Sequence, residues 1–283
     1  MTSVAPLLEA FLSDRLARQQ QASPNTIAAY RDGWRLLLCF INDRTGKAPS
    51  KLDLTDLDAA TIGTFLVHLE QERGNGAVTR NQRLAAVRSF FSYAALSCPE
   101  HAGLIQRVLA IPDKRVERTS VCYLTGPEVD ALLASPDRCT WIGRRDHALL
   151  VLAVQTGLRV SELTGLRIAD VHLGNGPHVW CRGKGRKEPC TPLTATTVKV
   201  LQAWIRERGG DPADPLFPSR SRRRGPLSRD SVEHLVRKHA SAAHERCASL
   251  RSKTITPHTL RHTAAMALLR YGVIRSRKAE HAF

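Results

Sequence analysis

The sequence has no long apolar run. The longest uninterrupted one is Ala148 to Val154, far short of the roughly 20 residues that cross a bilayer. Its opening stretch, MTSVAPLLEAFLSDRLARQQ, lacks the basic region, apolar core and cleavage site of a secretory signal, so a cytoplasmic protein is expected. Seven cysteines (Cys39, Cys98, Cys122, Cys139, Cys181, Cys190 and Cys247) are odd in number and never spaced as CxxC. They argue for neither a disulfide framework nor a zinc knuckle, and reduced, mostly buried thiols are predicted. Clustered carboxylates are missing from the second half, which counts against a metal nuclease. The pair His258-x-x-x-His262 has Thr259 where a zinc hydrolase needs glutamate, and no third ligand is evident. No metal and no cofactor are expected. There is no internal repeat, and SRSRRRG (219–225) is the one low-complexity stretch.

Positive charge is what the chain has in excess. Lys and Arg number 42 against 26 Asp and Glu, a net charge of +16 over 283 residues. The excess is lopsided: residues 1–112 hold 12 basic and 10 acidic side chains, net +2, whereas residues 113–283 hold 30 and 16, net +14. Clustered positive charge points to nucleic acid, through phosphate contacts and counterion release. A basic solvated surface without a partner is the alternative. With 42% hydrophobic and 24% charged residues, the chain is long enough for two ordinary globular domains.

Residues 1–112 read as a small helical bundle. Leu7, Leu8, Phe11, Leu12 and Leu16 recur at helical spacing, and Ser23-Pro24 supplies a cap and first-turn proline for a helix with Ile27, Tyr30, Trp34, Leu37, Leu38 and Ile41. A third helix follows Asp56 with Ile62, Phe65, Leu66 and Leu69; a fourth, from Thr79, carries Leu84, Val87, Phe90, Phe91 and Ala94. The aromatic residues fall on the apolar stripes, which predicts core rather than base-stacking platforms. The basic stretch PDKRVERTS (112–120) predicts a linker, 113–120, before a second domain, 121–283. There Thr125 and Glu128 form a T-x-x-E capping box, the helix through HALLVLAVQ stops at Gly157, and Ser161-Glu162-Leu163 begins another. After Gly176, HVWCRGKGRKEPCTPL has two short β-like arms around a Gly-Lys-Gly turn, a hairpin pattern. Helical sequence resumes at Thr194. The fold class expected is mainly α with a small β-hairpin or sheet.

Three separated segments place cations at constrained positions. TGLRVSEL puts Arg159 on a tight turn, RGKGRK puts Lys184 at a hairpin tip, and TPHTLRH puts His258 and Arg261 on one helix face near its start. Each segment alone also reads as a plain helix stop, a solvated turn or a capped helix end. Together they suit a metal-free phosphoryl-transfer site: two arginines can fork onto one phosphodiester, a histidine can bond the same group, and a lysine can protonate a departing oxygen. Arg220, Arg222, Arg223, Arg224 and Arg229 make the 219–229 stretch either a DNA-phosphate contact or a solvated tip.

TGLRVSELTGL, GKGRKE and HTLRHTAAMALL, in this order, resemble the tyrosine recombinase (phage integrase) family. SPNTIAAYRDGWRLLLCFI and TRNQRLAAVRSFFSYA resemble that family's helical core-binding domain, so the likeness covers nearly the whole chain. The resemblance implies a two-domain, C-shaped DNA clamp, with core-binding residues 1–112 and a mixed α/β catalytic domain in 121–283. It implies double-stranded DNA as partner, and on DNA a homo-oligomer or a complex with a full-length recombinase. Catalytic roles fall on Arg159, Lys184, His258 and Arg261, with Glu162 supporting Arg159 and His262 packing beside the pair. In the family a tyrosine attacks the scissile phosphate to form a 3′-phosphotyrosyl intermediate, which another strand's hydroxyl reverses.

The resemblance ends inside the last helix. The family continues with a leucine-glycine-histidine segment roughly two dozen residues after the H-x-x-R arginine, then the tyrosine about nine residues later; IRSRKAEHAF does not match either. Tyr30 and Tyr93 lie on apolar stripes, Tyr123 precedes the capping box, and Tyr271 ends a helix before Gly272, where the family does not place its nucleophile. His281 comes too early for the second histidine. The expectation is a DNA-integration protein of a mobile element, incomplete at its C-terminus through a stop or frameshift soon after Val273, that cradles a phosphate without a nucleophile. A non-catalytic module occupying recombination sites is the second reading.

Overall fold

In the computed structural model, which describes residues 2–117, 121–181, 190–220 and 225–270, the local signals of the first 110 residues produce five helices. α1 (Val4–Ala10) runs on into a wider π-helical segment, Phe11–Gln19. α2 (Pro24–Thr45) begins where Ser23 Oγ accepts from the Thr26 N–H at 3.2 Å and stops at Gly46, whose φ of +67° suits glycine. A 3-10 turn, Leu54–Leu57, precedes α3 (Ala59–Gln71), which Asp58 caps by accepting from the Thr61 N–H at 2.7 Å. The start lies after Asp58 rather than Asp56 because Asp56 is spent on the turn, accepting from the Asp53 N–H at 2.8 Å. α4 (Ala77–Ser97) and α5 (Ala102–Leu109) complete the set.

Their apolar stripes meet in one core. Phe11, Trp34, Phe65, Phe90 and Phe91 are each at most 1% exposed, with ring centroids 5.7 Å apart for Phe11–Phe90 and 4.5 Å for Trp34–Phe90. Burying one phenylalanine side chain stabilises by about 1.5–3 kcal/mol. These rings hold the bundle and are closed to nucleic-acid bases.

The chain divides into two units, Met1–Arg118 and Thr119–Phe283, each with its own core. The second opens with α6 (Gly126–Leu133), where the Thr125 N–H donates to Glu128 Oε2 at 2.8 Å. α7 (Trp141–Thr156) is capped by Thr140 and ends at Gly157; α8 (Val160–Gly165) follows after two residues. α7 packs against α9 (Ala195–Arg208) and α11 (Pro257–Arg270), and α10 (Arg229–Ala243) packs against α6 and α8. The apolar run Ala148–Val154 is thereby explained: Leu149, Leu150 and Leu152 are at most 1% exposed in a helix covered on several sides. No described helix is long and apolar enough to cross a membrane.

The expected hairpin arms are β2 (His178–Trp180) and β3 (Cys190–Pro192), paired antiparallel with Val179 opposite Thr191. β1 (Val171–His172) adds to the other side of β2, Val171 opposite Val179, making a three-stranded sheet of order β1-β2-β3. Two residues are too few for an alternating pattern, so β1 has no sequence signature. The thiols depart from expectation. Only Cys98 and Cys181 are buried; Cys39, Cys139 and Cys190 are exposed. The exposed three occupy a solvent-facing position of α2, the turn before α7 and the start of the edge strand β3, where no layer of described residues covers them.

Candidate functional site

Segments a hundred residues apart in sequence meet in the second unit. Arg159, Arg229, His258 and Arg261 line one cleft of about 220 Å³, together with Leu158, Pro257 and, among the described residues, a single acidic side chain, Glu233. Each cation is placed by a local device. Arg159 is the residue before α8, and Glu162 serves it twice: Oε2 accepts the Arg159 backbone N–H at 2.6 Å, closing the helix start, while Oε1 accepts from Nη1 at 2.9 Å. The Glu162 side chain is 10% exposed and Arg159 61% exposed. One carboxylate therefore fixes both the backbone and the guanidinium, and the remaining guanidinium donors stay accessible to a ligand.

Arg261 is held from the other side. Its Nη1 donates to the Gly157 carbonyl at 2.6 Å, satisfying an oxygen that the end of α7 leaves without an intrahelical partner. Gly157 has φ +64°, and a Cβ there would lie 2.9 Å from Ala264 Cβ and 3.5 Å from the Arg261 carbonyl oxygen. Glycine is required twice, for the left-handed turn and for the close approach of α11. This contact fixes Arg261 on α11 against Arg159 two residues past the turn.

α11 starts with a reciprocal cap: the Thr259 N–H donates to Thr256 Oγ1 at 3.3 Å and the Thr256 N–H to Thr259 Oγ1 at 3.1 Å. Pro257 takes the first helical position, where a missing N–H costs nothing. The positive end of the helix dipole thus borders the cleft beside His258. The His258 and His262 rings meet edge to face, centroids 5.3 Å apart. Among the described residues, no group of three or more His, Cys, Asp or Glu is placed to hold a metal ion.

Of the arginine-rich stretch, the two described arginines lie on different clefts. Pro218 bridges Pro226 antiparallel and the Ser219 N–H donates to Gly225 O at 2.7 Å. Arg220 borders a different and larger cleft, about 1,050 Å³, with Asp137, Thr140, Arg208 and Lys238. Arg229, the first residue of α10, enters the small cleft with Arg159. Lys184, Arg222, Arg223, Arg224 and Tyr271 lie outside the described residues. The larger cleft is built around a buried tie: Arg145 bonds Asp146 Oδ1 at 2.8 and 3.0 Å, and His239 Nε2 meets Asp146 Oδ2 at 3.1 Å. Oδ1 is held by Arg145 within α7 and Oδ2 joins α7 to His239 on α10, so both carboxylate oxygens are engaged and we assign this feature to structure. Glu233, four residues after Arg229, went unnoticed in the sequence; an i,i+4 spacing from an arginine is its only signal there.

Comparison with known proteins fits this arrangement. The sequence profile of the Phage integrase family matches residues 123–276, and that of the phage integrase N-terminal SAM-like domain matches residues 8–97. The protein y4rC of Sinorhizobium fredii, named a candidate integrase/recombinase, is 52% identical over 97% of this chain and 82% of its own length. The chain belongs to the phage integrase family. Tyrosine recombinase XerC of Pelobacter propionicus is 34% identical over 94% of this chain and 84% of its own. The Tn1549 transposon integrase, solved in complex with circular intermediate DNA, shares the fold at a TM-score of 0.69, with 17% identity over 96% of this chain and 88% of that one.

In this phage integrase relative the segment leading into α11 is clamped by a buried ion pair absent from the sequence motifs. Glu128, 2% exposed, accepts from Lys253 Nζ at 2.7 Å and Ser249 Oγ at 2.7 Å as well as from the Thr125 N–H; Lys253 also donates to the Tyr123 carbonyl at 3.0 Å. Burial alone would raise the Glu128 pKa, but the hydrogen bonds from Lys253, Thr125 and Ser249 outweigh it and hold the carboxyl down at about 2, against an ordinary 4.5. A carboxylate depressed on folding contributes stability above its unfolded pKa and loses it as pH falls through the folded one. Acid unfolding of the wild type is therefore expected to include a loss on the order of 2–3 kcal/mol between about pH 4.5 and 2. Glu128→Gln should show most of that loss already at pH 7, with a flatter profile below pH 4.5. Denaturant titrations across pH check this; parallel profiles for the two proteins would remove the clamp from the account.

Proposed function

We propose that the chain is a site-specific DNA recombination protein that binds duplex DNA and seats one backbone phosphodiester in the Arg159–His258–Arg261 cleft. The observation that carries this reading is the convergence of those three side chains, with Arg229, on one small cleft beside the start of α11. Two guanidiniums can fork onto the non-bridging oxygens, and His258 can bond the same phosphate. Glu162 and the Gly157 carbonyl preorganise the arginines, so charge developing at phosphorus meets fixed donors without reorganisation. Lys184 is assigned the protonation of the departing oxygen by family resemblance, and Arg220, Arg222, Arg223 and Arg224 are assigned to DNA-phosphate contacts. The DNA-bound state of the Tn1549 integrase structure supports the choice of partner.

A specific observation favours binding without cleavage within these 283 residues. Tyr30 and Tyr93 pack on Phe11, at 6.4 and 5.7 Å between centroids, and the Tyr123 hydroxyl accepts from Arg270 Nη2 at 3.4 Å. None of these three lines the cleft. On this reading the described residues form a phosphate cradle that occupies recombination sites, and none of these three tyrosines is its nucleophile. Incubation with nicked suicide duplexes should give no denaturation-resistant protein–DNA band, whereas a version extended with a leucine-glycine-histidine segment and tyrosine should give one. A band from the unextended chain that disappears in Tyr271→Phe would make Tyr271 the nucleophile. An extended protein that is folded, DNA-bound and inert would sink the cradle assignment.

A further inference from the structure

The start of the connector between the two units is bound down onto α4. Arg80 Nη1 donates to Pro112 O at 2.9 Å. Asn81 Nδ2 donates to Lys114 O at 2.8 Å while the Lys114 N–H donates to Asn81 Oδ1 at 3.0 Å. Arg88 Nη2 donates to Ile111 O, and its Nη1 reaches the Asp113 carboxylate at 3.2 Å. Residues 80, 81 and 88 share one face of α4, two turns apart, so a single helix face holds residues 111 to 114.

Magnitudes decide which of these contacts fix the chain. The Asp113 and Lys114 side chains are 59% and 57% exposed, and ion pairs at such sites contribute little. The bonds to the main chain are different, because they hold peptide groups directly. Asn81 pairs with both the N–H and the C=O of Lys114, the two-way pairing that a neighbouring strand would supply. A linker read from sequence as beginning at residue 113 is thus occupied by the first unit through Lys114.

We infer that Arg80, Asn81 and Arg88 are positioning residues that strap the connector to the first unit, so that the tether to the second counts from Arg115 and not from Ile111. The consequence for DNA rests on the proposed function; the strap itself does not. When one unit holds a duplex, engagement by the other is intramolecular, and its effective concentration falls roughly as the −3/2 power of tether length. Releasing residues 111–114 from α4 should weaken two-unit binding about twofold.

Limited trypsin digestion with mass analysis tests the strap without DNA. In the wild type the Lys114–Arg115 bond should resist, since a protease must draw out main chain that is already paired. Asn81→Ala should speed cleavage after Lys114 about tenfold, the change in local opening that loss of two ordinary hydrogen bonds brings. Acceleration confined to that bond supports the inference. No acceleration overturns it, as does uniform acceleration at every site of the first unit in both Asn81→Ala and Arg88→Ala. On duplex DNA, a wild type that binds and an Asn81→Ala that binds about twofold more weakly support the tether role. Equal binding despite faster cleavage overturns that role. A folded wild type that binds no DNA defeats the proposed function and leaves digestion to decide the strap.

Discussion

Arg261→Ala is expected to weaken duplex binding by on the order of ten- to a hundredfold while costing the fold about 1 kcal/mol. The two effects separate because the side chain makes two kinds of bond. Toward the protein it donates to the Gly157 carbonyl, a neutral acceptor at a half-buried site, where a typical hydrogen bond contributes about 0.5–1.5 kcal/mol. Toward the phosphate of the proposed function it would make charge-assisted bonds, each worth about 1.5–3 kcal/mol. Arg261→Lys keeps the charge but has no planar fork to hold Gly157 and a phosphate together, so it should fall between wild type and alanine. Fluorescence anisotropy on a short duplex, with thermal unfolding run on the same samples, reads both quantities. An affinity loss no larger than that of Arg18→Ala, whose side chain is 81% exposed beside Asp14 in the other unit, would mean that Arg261 contributes only to the general field.

Gly157→Ala should destabilise the second unit by about 2–5 kcal/mol. Left-handed backbone costs an alanine about 1–2 kcal/mol, and forcing a methyl to 2.9 Å from Ala264 Cβ adds about 1–3 kcal/mol of overpacking. The double variant Gly157→Ala with Ala264→Gly separates the contributions: it relieves the clash, leaves the backbone strain and lowers the helix propensity of α11. Duplex affinity should fall alongside, because Arg159 follows the turn by two residues and Arg261 bonds its carbonyl. Urea titration of both variants measures this. A near-neutral Gly157→Ala would show that α7 and α11 do not meet tightly.

Local signals were legible wherever chemistry acts over one turn of chain. Ser23-Pro24, Thr125 with Glu128, and Gly157 each announced a helix boundary through bonds made within three or four residues, and the stripe aromatics fell in the core because spacing alone decides which face is buried. The TGLR and HTLRH strings single out Arg159, His258 and Arg261, and the fold brings these three side chains to one cleft. What stayed hidden depends on distance. Glu128 looked like a helix cap, and nothing adjacent to it announces Lys253 and Ser249 more than 120 residues away. Arg220 and Arg229 looked like one basic loop until the Pro218–Pro226 bridge placed them on different clefts. Asn81 sits on α4 as an ordinary polar residue, and its bonding to Lys114 exists only once the connector returns along that helix. The exposed cysteines depart from expectation for a related reason: an average preference for burial says nothing about which side of a helix or sheet a given thiol occupies.

If a phosphodiester sits between Arg159 and Arg261, duplex affinity as a function of salt shows it for three proteins: wild type, Arg159→Ala/Arg261→Ala, and Arg18→Ala. The wild type should lose affinity steeply, on the order of a thousandfold between about 50 and 200 mM salt if some six phosphates are contacted. The double variant should bind more weakly at every salt concentration, with a log–log slope shallower by about 1, as one phosphate site is vacated. Arg18→Ala should overlay the wild type. A folded wild type that shows no binding at low salt, or a double variant whose affinity and slope match those of Arg18→Ala, contradicts the account.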